Sequence, residues 1–346
     1  MNNFDLKNSL IFNLSMCSLE DFYTCFMEWL GNQYPNDFIK VFTDEKYNNL
    51  LYKKQQKHGK NRTDLEIHSD DKILFIVENK LKSMPKEEQL KEYNNINNGK
   101  NFLLSLIDLY EKPDNWEYIS YSDYAQKLAS IFHSNFSYKD ITHKYIVEDY
   151  INVITYISSN MPSKNLKTLE IYKILEKIPE ELHDIYIKTK MAELCELIKK
   201  EVSNNNYNFD HNFSNKSGIV NINRPIEIEG LTKSYIGIQI QKYQYRYCMV
   251  INFDRNDTKN NLDNLRESIA KELEDSKLWF FDTLSVGNVK NYQNFCGYNP
   301  DFIYKYKKME SCISFEKISQ NVAKDIKLLD ENFEKIRQKI SRILSK

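Results

Sequence analysis

The sequence predicts an α/β protein with two structured regions, and three stretches of the chain carry this prediction. Residues 63–68 alternate polar and apolar side chains, and residues 73–77 are a continuous apolar run, so both have the pattern of β-strands. Residues 138–202 are helix-like almost throughout. Further along, alternating segments between 218 and 253 precede a helical pattern at 259–274, which is typical of a second, α+β region.

The elements around the first strands can be placed in order. A helix is predicted over residues 19–34, because apolar side chains recur there with helical spacing and Pro35 follows. Residues 38–42 are ambiguous between a continuing helix and a short strand. Residues 50–56 are the first predicted strand, and the turn formers at 69–72 join the next two strands in a β-hairpin.

The chain beyond this hairpin continues the alternation of strands and helices. A short helix is predicted around Gln89, and residues 102–107 and 116–120 are the next predicted strands. A helix follows at 122–132. This order of elements predicts a first sheet that combines a hairpin with strands reached through a helical connection.

Two carboxylates face each other in the predicted hairpin. With the turn centred near Asp71, Asp64 lies opposite Glu78, and Arg62 lies opposite Lys80. Directly opposed side chains have Cβ atoms about 4.5–5.5 Å apart, and like charges at that separation repel. Glu78 and Lys80 share one face of the strand. Two oxygen ligands beside an ammonium group suit Mg²⁺ (or Mn²⁺), whereas the alternative interpretation is a solvated hairpin end.

A metal at this pair would lower the pKa of a bound water and polarise a phosphoryl oxygen. Lys80 would orient that water or stabilise developing negative charge, so it is expected to affect the reaction more than folding. Two neighbouring helices carry further candidates. Gln89 and Tyr93 are spaced four residues apart on one helix face, and Glu20 lies in the first turn of the first helix.

In these residues the chain resembles the PD-(D/E)XK nuclease superfamily, whose core is α-β-β-β-α-β. That family has an Asp on its second strand and Glu-x-Lys on its third, which would here be Asp64 and Glu78-Asn79-Lys80. The chain is most similar to a bacterial branch of stand-alone members. The residues that match this branch, in order and approximate spacing, are Glu20, Arg62, Asp64, Glu78, Lys80, Gln89 and Tyr93. The similarity covers about residues 18–124, and Thr63 stands where the family pattern has Pro.

The resemblance implies a restriction-endonuclease-like PD-(D/E)XK core at residues 1–135. A helical extension at 136–203 and a C-terminal α+β domain at 204–346 would follow it. We place the second boundary at 204–216, since this segment is polar and lacks periodicity.

The resemblance further implies a Mg²⁺-dependent phosphodiesterase that acts on DNA, with RNA not excluded. It implies that Asp64, Glu78 and Asn79 bind the metal and that Glu20 supports the site. Gln89 and Tyr93 would orient the scissile phosphate or brace Lys80. The resemblance also implies a place in a bacterial defence system, such as phage defence, or in a mobile element. A catalytically silent scaffold that binds nucleic acid or protein is the alternative, and the intact acid–acid–lysine set argues against it.

Nucleic-acid binding would depend on a local patch, because the formal net charge is −1. A dense basic stretch leads towards Asp64, and its members are Lys53, Lys54, Lys57, Lys60 and Arg62. We predict that this stretch holds phosphates, and a solvated charged loop is the alternative. Aromatic residues on strands of the second region are further candidates for stacking on bases, although such residues are more typical of a core.

The C-terminal helix carries apolar residues in a 4,3 repeat over three heptads, here called the heptad seam. Its members are Val322, Ile326, Leu329, Phe333, Ile336, Ile340 and Ile343. The seam predicts either a coiled-coil contact with a second copy or a partner protein, or packing against its own domain. A run of only three heptads favours the second interpretation.

Cysteine spacing and hydropathy bear on the compartment. The 6 cysteines include no Cys-x-x-Cys pair and no zinc-type spacing with histidine. Scattered cysteines of this kind are typical of reduced thiols. No apolar run approaches the roughly 20 residues that span a membrane, and the N-terminal residues lack a signal-peptide pattern. A cytoplasmic protein without a membrane segment is therefore expected.

Overall fold

A computed structural model shows the fold of the chain. The protein is mixed α/β, as the sequence predicts. The chain divides into two compact units, residues 1–164 and 165–346, so the predicted helical extension 136–203 is shared between them. The residues that the structure describes are 5–16, 19–81, 87–106, 114–160, 166–214, 217–254, 259–279, 296–297 and 301–345.

The first unit follows the predicted order of helices and strands. Its helices are α1 (Leu10–Ser15), α2 (Leu19–Gln33), α3 (Pro35–Phe38), α4 (Glu87–Asn94), α5 (Tyr121–Ile131) and α6 (Ile141–Asn160). Its strands are β1 (Leu51–Lys54), β2 (Lys57–His58), β3 (Asn61–Arg62), β4 (Leu65–Ser69), β5 (Lys72–Lys80), β6 (Asn101–Ser105) and β7 (Trp116–Ser120). The ambiguous residues 38–42 continue as helical turns, including a 3₁₀ turn at Ile39–Val41.

In the described part of the first unit, five strands form one sheet in the order β1-β4-β5-β6-β7. Strand β4 is antiparallel to both β1 and β5, whereas β6 runs parallel to β5 and β7 runs parallel to β6. A parallel neighbour requires a crossover connection, and α4 lies in the connection from β5 to β6. Strands β2 and β3 pair as a small separate ribbon between β1 and β4.

Helix α2 covers one face of this sheet. Its buried residues Tyr23, Phe26, Met27 and Leu30 recur with the spacing of one helical face. The helix ends before Pro35, which starts α3 at its first position, where a missing N–H costs nothing. On the opposite face of the sheet, Ile76 packs in a cluster with residues of and around α4, namely Leu90, Tyr93, Leu103 and Trp116.

The predicted hairpin is the β4–β5 pair. Its two-residue turn consists of Asp70 and Asp71, both with positive φ (48° and 62°), as a type I′ turn requires and as Asp tolerates. Leu65 pairs with Val77 and Glu66 with Ile76, with an irregularity at Ile67/His68 nearer the turn. This register is the one predicted from a turn near Asp71.

The second unit is built on an antiparallel sheet. Its helices are α7 (Ile171–Ile174), α8 (His183–Val202), α9 (Lys259–Asp275) and α10 (Phe315–Leu344). Its strands are β8 (Asn208–Ser214), β9 (Ser217–Pro225), β10 (Tyr235–Gln241), β11 (Gln244–Val250), β12 (Cys296–Gly297) and β13 (Phe302–Lys308). Among the described residues these six strands lie in the order β12-β13-β11-β10-β9-β8.

The polar segment 204–216, where we placed a domain boundary, contains a strand. Residues of β8 pair along their whole length with β9 in a hairpin at the edge of the second sheet. A strand at the edge of a sheet pairs with one neighbour only and can be polar on both faces. The polar composition of this segment therefore does not reveal that it pairs as a strand.

The heptad seam is buried within the second unit. Four of its members are 0% exposed, namely Val322, Leu329, Ile336 and Ile340. Helix α10 packs against α8 and α9. The seam therefore packs within its own unit, which is the interpretation favoured by a run of only three heptads over contact with a second copy or partner through this seam. No helix in the described ranges is both long and apolar enough to cross a membrane.

Candidate active site

The two predicted carboxylates meet at the end of the β4–β5 hairpin. Continuing the pairing of Leu65 with Val77 by one residue places Asp64 opposite Glu78. Asp64 is half-buried, and its Oδ2 accepts a hydrogen bond from the backbone N–H of Asn79 at 2.8 Å. Glu78 is 0% exposed. The hairpin thus holds one carboxyl at the surface and one in the interior.

Lys80 lies on the same face of β5 as Glu78. Its Nζ is 2.7 Å from Glu78 Oε1, and its side chain is 14% exposed. An ion pair shielded from water in this way is much stronger electrostatically than a surface pair. The acid–x–Lys spacing therefore forms a direct contact, as expected for two residues that share a strand face.

The side chain of Asn79 lies on the opposite face and does not join the carboxylates. Its Oδ1 accepts a hydrogen bond from the hydroxyl of Tyr121 on α5, and its Nδ2 donates to Thr24 on α2 at 3.2 Å. Alternation along β5 dictates this direction. The implied role of Asn79 as a metal ligand is thus corrected for its side chain, which instead joins the sheet to two helices.

Gln89 and Tyr93 form a hydrogen-bonded chain on α4. Gln89 Nε2 donates to Tyr93 Oη at 2.7 Å, and Tyr93 Oη donates to the carbonyl oxygen of Arg62 at 2.5 Å. Burial, and next the charge of Glu78, raise the pKa of Tyr93 to about 12. Tyr93 is therefore a neutral hydrogen-bond donor close to the acidic pair. Its hydroxyl donates to the backbone of β3 two residues before Asp64, so it holds that backbone in position.

Glu20 belongs to α2 through its backbone. Its side chain lies outside the described residues, so its role as a supporting acid stays a prediction.

The basic stretch lies next to the carboxylates but is partly paired. Lys54 Nζ lies 3.5 Å from Glu28 Oε2 on α2, and Lys60 Nζ lies 2.6 Å from Glu92 Oε1 on α4. Lys60 is nevertheless highly exposed, so its ion pair is weak. The other predicted phosphate contacts are half-buried Lys53 on β1 and the cross-strand partners Lys57 and Arg62 of the β2–β3 ribbon.

One polar network beside the site was not predicted from the sequence. Glu66 is 1% exposed, and its Oε1 and Oε2 lie 2.5 Å and 2.9 Å from Nε2 of His58 and of His68, respectively. The hydroxyl of Thr63 also donates to Glu66 at 2.8 Å. Because His58 belongs to the ribbon, this network attaches the basic ribbon to β4. The signal was the shared strand face of Asp64, Glu66 and His68.

The donor set is small for a metal centre. In the ranges that the structure describes, no three His, Cys, Asp or Glu side chains are arranged to hold a metal ion. Mg²⁺ is commonly held by only one or two carboxylates together with water and substrate phosphate. Asp64 and Glu78 fit that requirement on condition that the Lys80 ammonium shifts from Glu78 Oε1 when a cation enters.

Comparison with known proteins adds no relative. No family model, curated protein or solved structure matches the chain. The fold and the candidate site describe a mixed α/β protein that has a buried acid–lysine pair at the end of a hairpin.

Proposed function

We propose that the protein is a metal-dependent nuclease that hydrolyses phosphodiester bonds in DNA. The observation that carries the proposal is the arrangement of Asp64, Glu78 and Lys80. The two carboxylates are opposed across a strand pair, and the lysine lies on the same face 2.7 Å from Glu78. Few structural roles require two opposed acids at this place, whereas phosphoryl transfer with a hard cation requires acids that bind the cation.

The order of elements supports the same proposal. The sequence α2-β1-β4-β5-α4-β6 follows the α-β-β-β-α-β order of the PD-(D/E)XK core, apart from α3 with its 3₁₀ turn and the β2–β3 ribbon, which are inserted. Asp64 directly precedes the second of these three strands, and Glu78-Asn79-Lys80 ends the third. Glu78 and Lys80 thus lie on the strand to which the resemblance assigns them, and Asp64 lies one residue before its assigned strand.

Asp64 and Glu78 would hold Mg²⁺ or Mn²⁺. When bound, such a cation polarises a phosphoryl oxygen and lowers the pKa of a coordinated water. Lys80, displaced from Glu78, would place its ammonium where negative charge develops on the phosphate. Gln89 and Tyr93 keep the backbone of Arg62, two residues before Asp64, in position, and the β2–β3 ribbon would contact the DNA backbone. A role in bacterial defence or in a mobile element is an extension of the resemblance.

A specific observation favours a second candidate, a nucleic-acid-binding protein without catalysis. Glu78 is fully buried and paired with Lys80, and the described residues supply no third acidic or histidine ligand. An ion pair that never opens would keep a cation out. RNA as the substrate remains a variant of the first candidate.

The deciding experiment incubates the protein with circular and linear DNA and with RNA, in Mg²⁺, in Mn²⁺ and in chelator. The informative variant is Asp64→Asn, which keeps an oxygen that accepts the bond from the Asn79 backbone but removes the charge. Asp71→Asn is the matched control. It makes the same change in the exposed turn of the same hairpin, where Asn tolerates the positive φ.

We expect cleavage that requires the cation, and loss of about 100-fold or more in Asp64→Asn, the scale on which losing one electrostatic stabiliser lowers kcat. Asp71→Asn should cleave at the wild-type rate. Binding of nucleic acid without cleavage in either metal would instead support the second candidate. Equal activity of Asp64→Asn and wild type would refute the site.

A further inference from the structure

A pocket of about 310 Å³ lies at one end of the sheet of the second unit. It is formed where the β10–β11 turn meets the ends of β9 and β13. Its lining includes three cationic side chains, Lys242, Arg246 and Lys308, and no carboxylate. Two aromatic rings, those of Tyr243 and Tyr306, also line it. This combination is suited to a ligand that carries both a phosphate and a flat ring.

Arg246 is held in place by its neighbours on the sheet. Its Nε and one terminal nitrogen donate to Gln244 Oε1 at 2.8 Å and 2.5 Å, and its other terminal nitrogen donates to Gln239 Oε1 at 2.6 Å. Its guanidinium also lies 4.4 Å from the centre of the Tyr304 ring. Because these contacts fix the side chain beforehand, little entropy is lost when an anion binds.

A line of aromatic rings continues from the pocket along β13. Phe302, Tyr304 and Tyr306 alternate with residues that face the helices, so all three lie on the other face of the sheet. Their ring centres are 5.3 Å and 6.3 Å apart, and each ring is half-buried. Lys305, on the helix-facing side, pairs with Glu274 of α9. The three rings therefore do not belong to the core between sheet and helices.

We propose that this face of the second unit binds single-stranded nucleic acid. Phosphates would lie against Lys242, Arg246 and Lys308, where no carboxylate of the lining repels them. Bases would stack on the rings of β13, which suits a single strand because a duplex keeps its base faces stacked on one another. A line of rings fits a polymer better than it fits one nucleotide. The proposal does not depend on the carboxylate pair of the first unit.

The test measures binding of the full-length protein to a labelled oligothymidylate in the presence of chelator, at several salt concentrations. Tyr306→Leu removes the ring but keeps an apolar side chain, and should weaken binding by about 5- to 150-fold, the range that stacking of one base contributes. Lys242→Gln/Lys308→Gln should weaken binding and reduce the salt slope by about 1.4, at about 0.7 per phosphate contact on a single strand.

The matched control is Lys324→Gln/Lys327→Gln, which removes the same charge from exposed positions on α10 in the same unit. It should leave affinity and slope unchanged, and thermal melting should confirm that all variants fold. Equal weakening by both double variants would overturn the proposal, as would equally tight binding of thymidine monophosphate or of the corresponding duplex. Since chelator prevents metal-dependent cleavage, a protein without nuclease activity still passes or fails this test on its own.

Discussion

Replacing Lys80 with methionine tests the ion pair at the candidate site. Lys80 Nζ lies 2.7 Å from Glu78 Oε1, the Lys80 side chain is 14% exposed, and the Glu78 side chain is 0% exposed. Methionine retains a flexible, unbranched apolar side chain but lacks the ammonium. The substitution therefore removes the charge while changing the packing little.

The expected effect on stability is large. Removing one partner of a buried ion pair destabilises a protein by about 3–5 kcal/mol, because the remaining charge stays in a low-dielectric environment. For a unit of this size, with about 2–4 °C per kcal/mol, the melting temperature of the first unit should fall by about 6–20 °C. The sequence alone predicted that Lys80 affects the reaction more than folding. Because Glu78 is buried, we expect the substitution of Lys80 to affect both the reaction and the stability.

Thermal unfolding of four proteins measures this effect, namely wild type, Lys80→Met, Glu78→Gln and the double variant. The double variant should melt above Lys80→Met, because it leaves no buried carboxylate, and the coupling should fall in the range of about 0.5–3 kcal/mol. Mg²⁺ should raise the melting temperature of Lys80→Met more than that of wild type, since the cation no longer competes with the ammonium. A Lys80→Met protein that melts within about 2 °C of wild type would refute the reasoning, because that difference is below about 1 kcal/mol.

Three further outcomes are expected. Burial and nearby carboxylates raise the pKa of Tyr93 to about 12, so the difference between the absorbance titrations of wild type and Tyr93→Phe should show one phenol ionising near pH 12; a midpoint near 10 would contradict its position. Asn79→Ala should destabilise the first unit by about 1–3 kcal/mol in urea, because the buried hydroxyl of Tyr121 loses its acceptor, and an unchanged midpoint would argue against the corrected role. Gly237→Ala should destabilise the second unit by about 1–3 kcal/mol, because its Cβ would overlap the carbonyl oxygen of Ile222 on the adjacent strand; wild-type stability would mean that these strands lie further apart.

The β4–β5 hairpin and its register could be predicted from the sequence. An apolar run, a polar–apolar alternation and four turn formers are local signals, and a strand with buried side chains strongly specifies its register because a shift of one residue turns every side chain to the wrong face. The opposition of Asp64 and Glu78, and the shared face of Glu78 and Lys80, follow from this register. Helix α2 was equally predictable, since Pro35 and the periodic apolar face define its end and its buried side.

Other features depended on partners far away in the chain. The polar pattern of 208–214 does not show that β9 pairs with it, and the heptad seam does not reveal which surface it covers, since an apolar stripe is the same whether α8 or a second protein lies against it. The alternation of side chains along β5 indicates the sheet face on which the Asn79 side chain lies. Its role becomes visible only with its hydrogen-bond partners Tyr121 and Thr24, which are distant in the sequence.

By itself, the sequence determined the strands and helices around the carboxylate pair and the faces on which their side chains lie, because hydrophobic periodicity and turn chemistry act over a few residues. The tertiary structure alone decided that Glu78 is fully buried against Lys80, that Glu66 joins the ribbon to β4 through two histidines, and that cationic and aromatic side chains surround one pocket of the second sheet. Burial and the approach of distant side chains are set by packing of the whole unit, which no local pattern records.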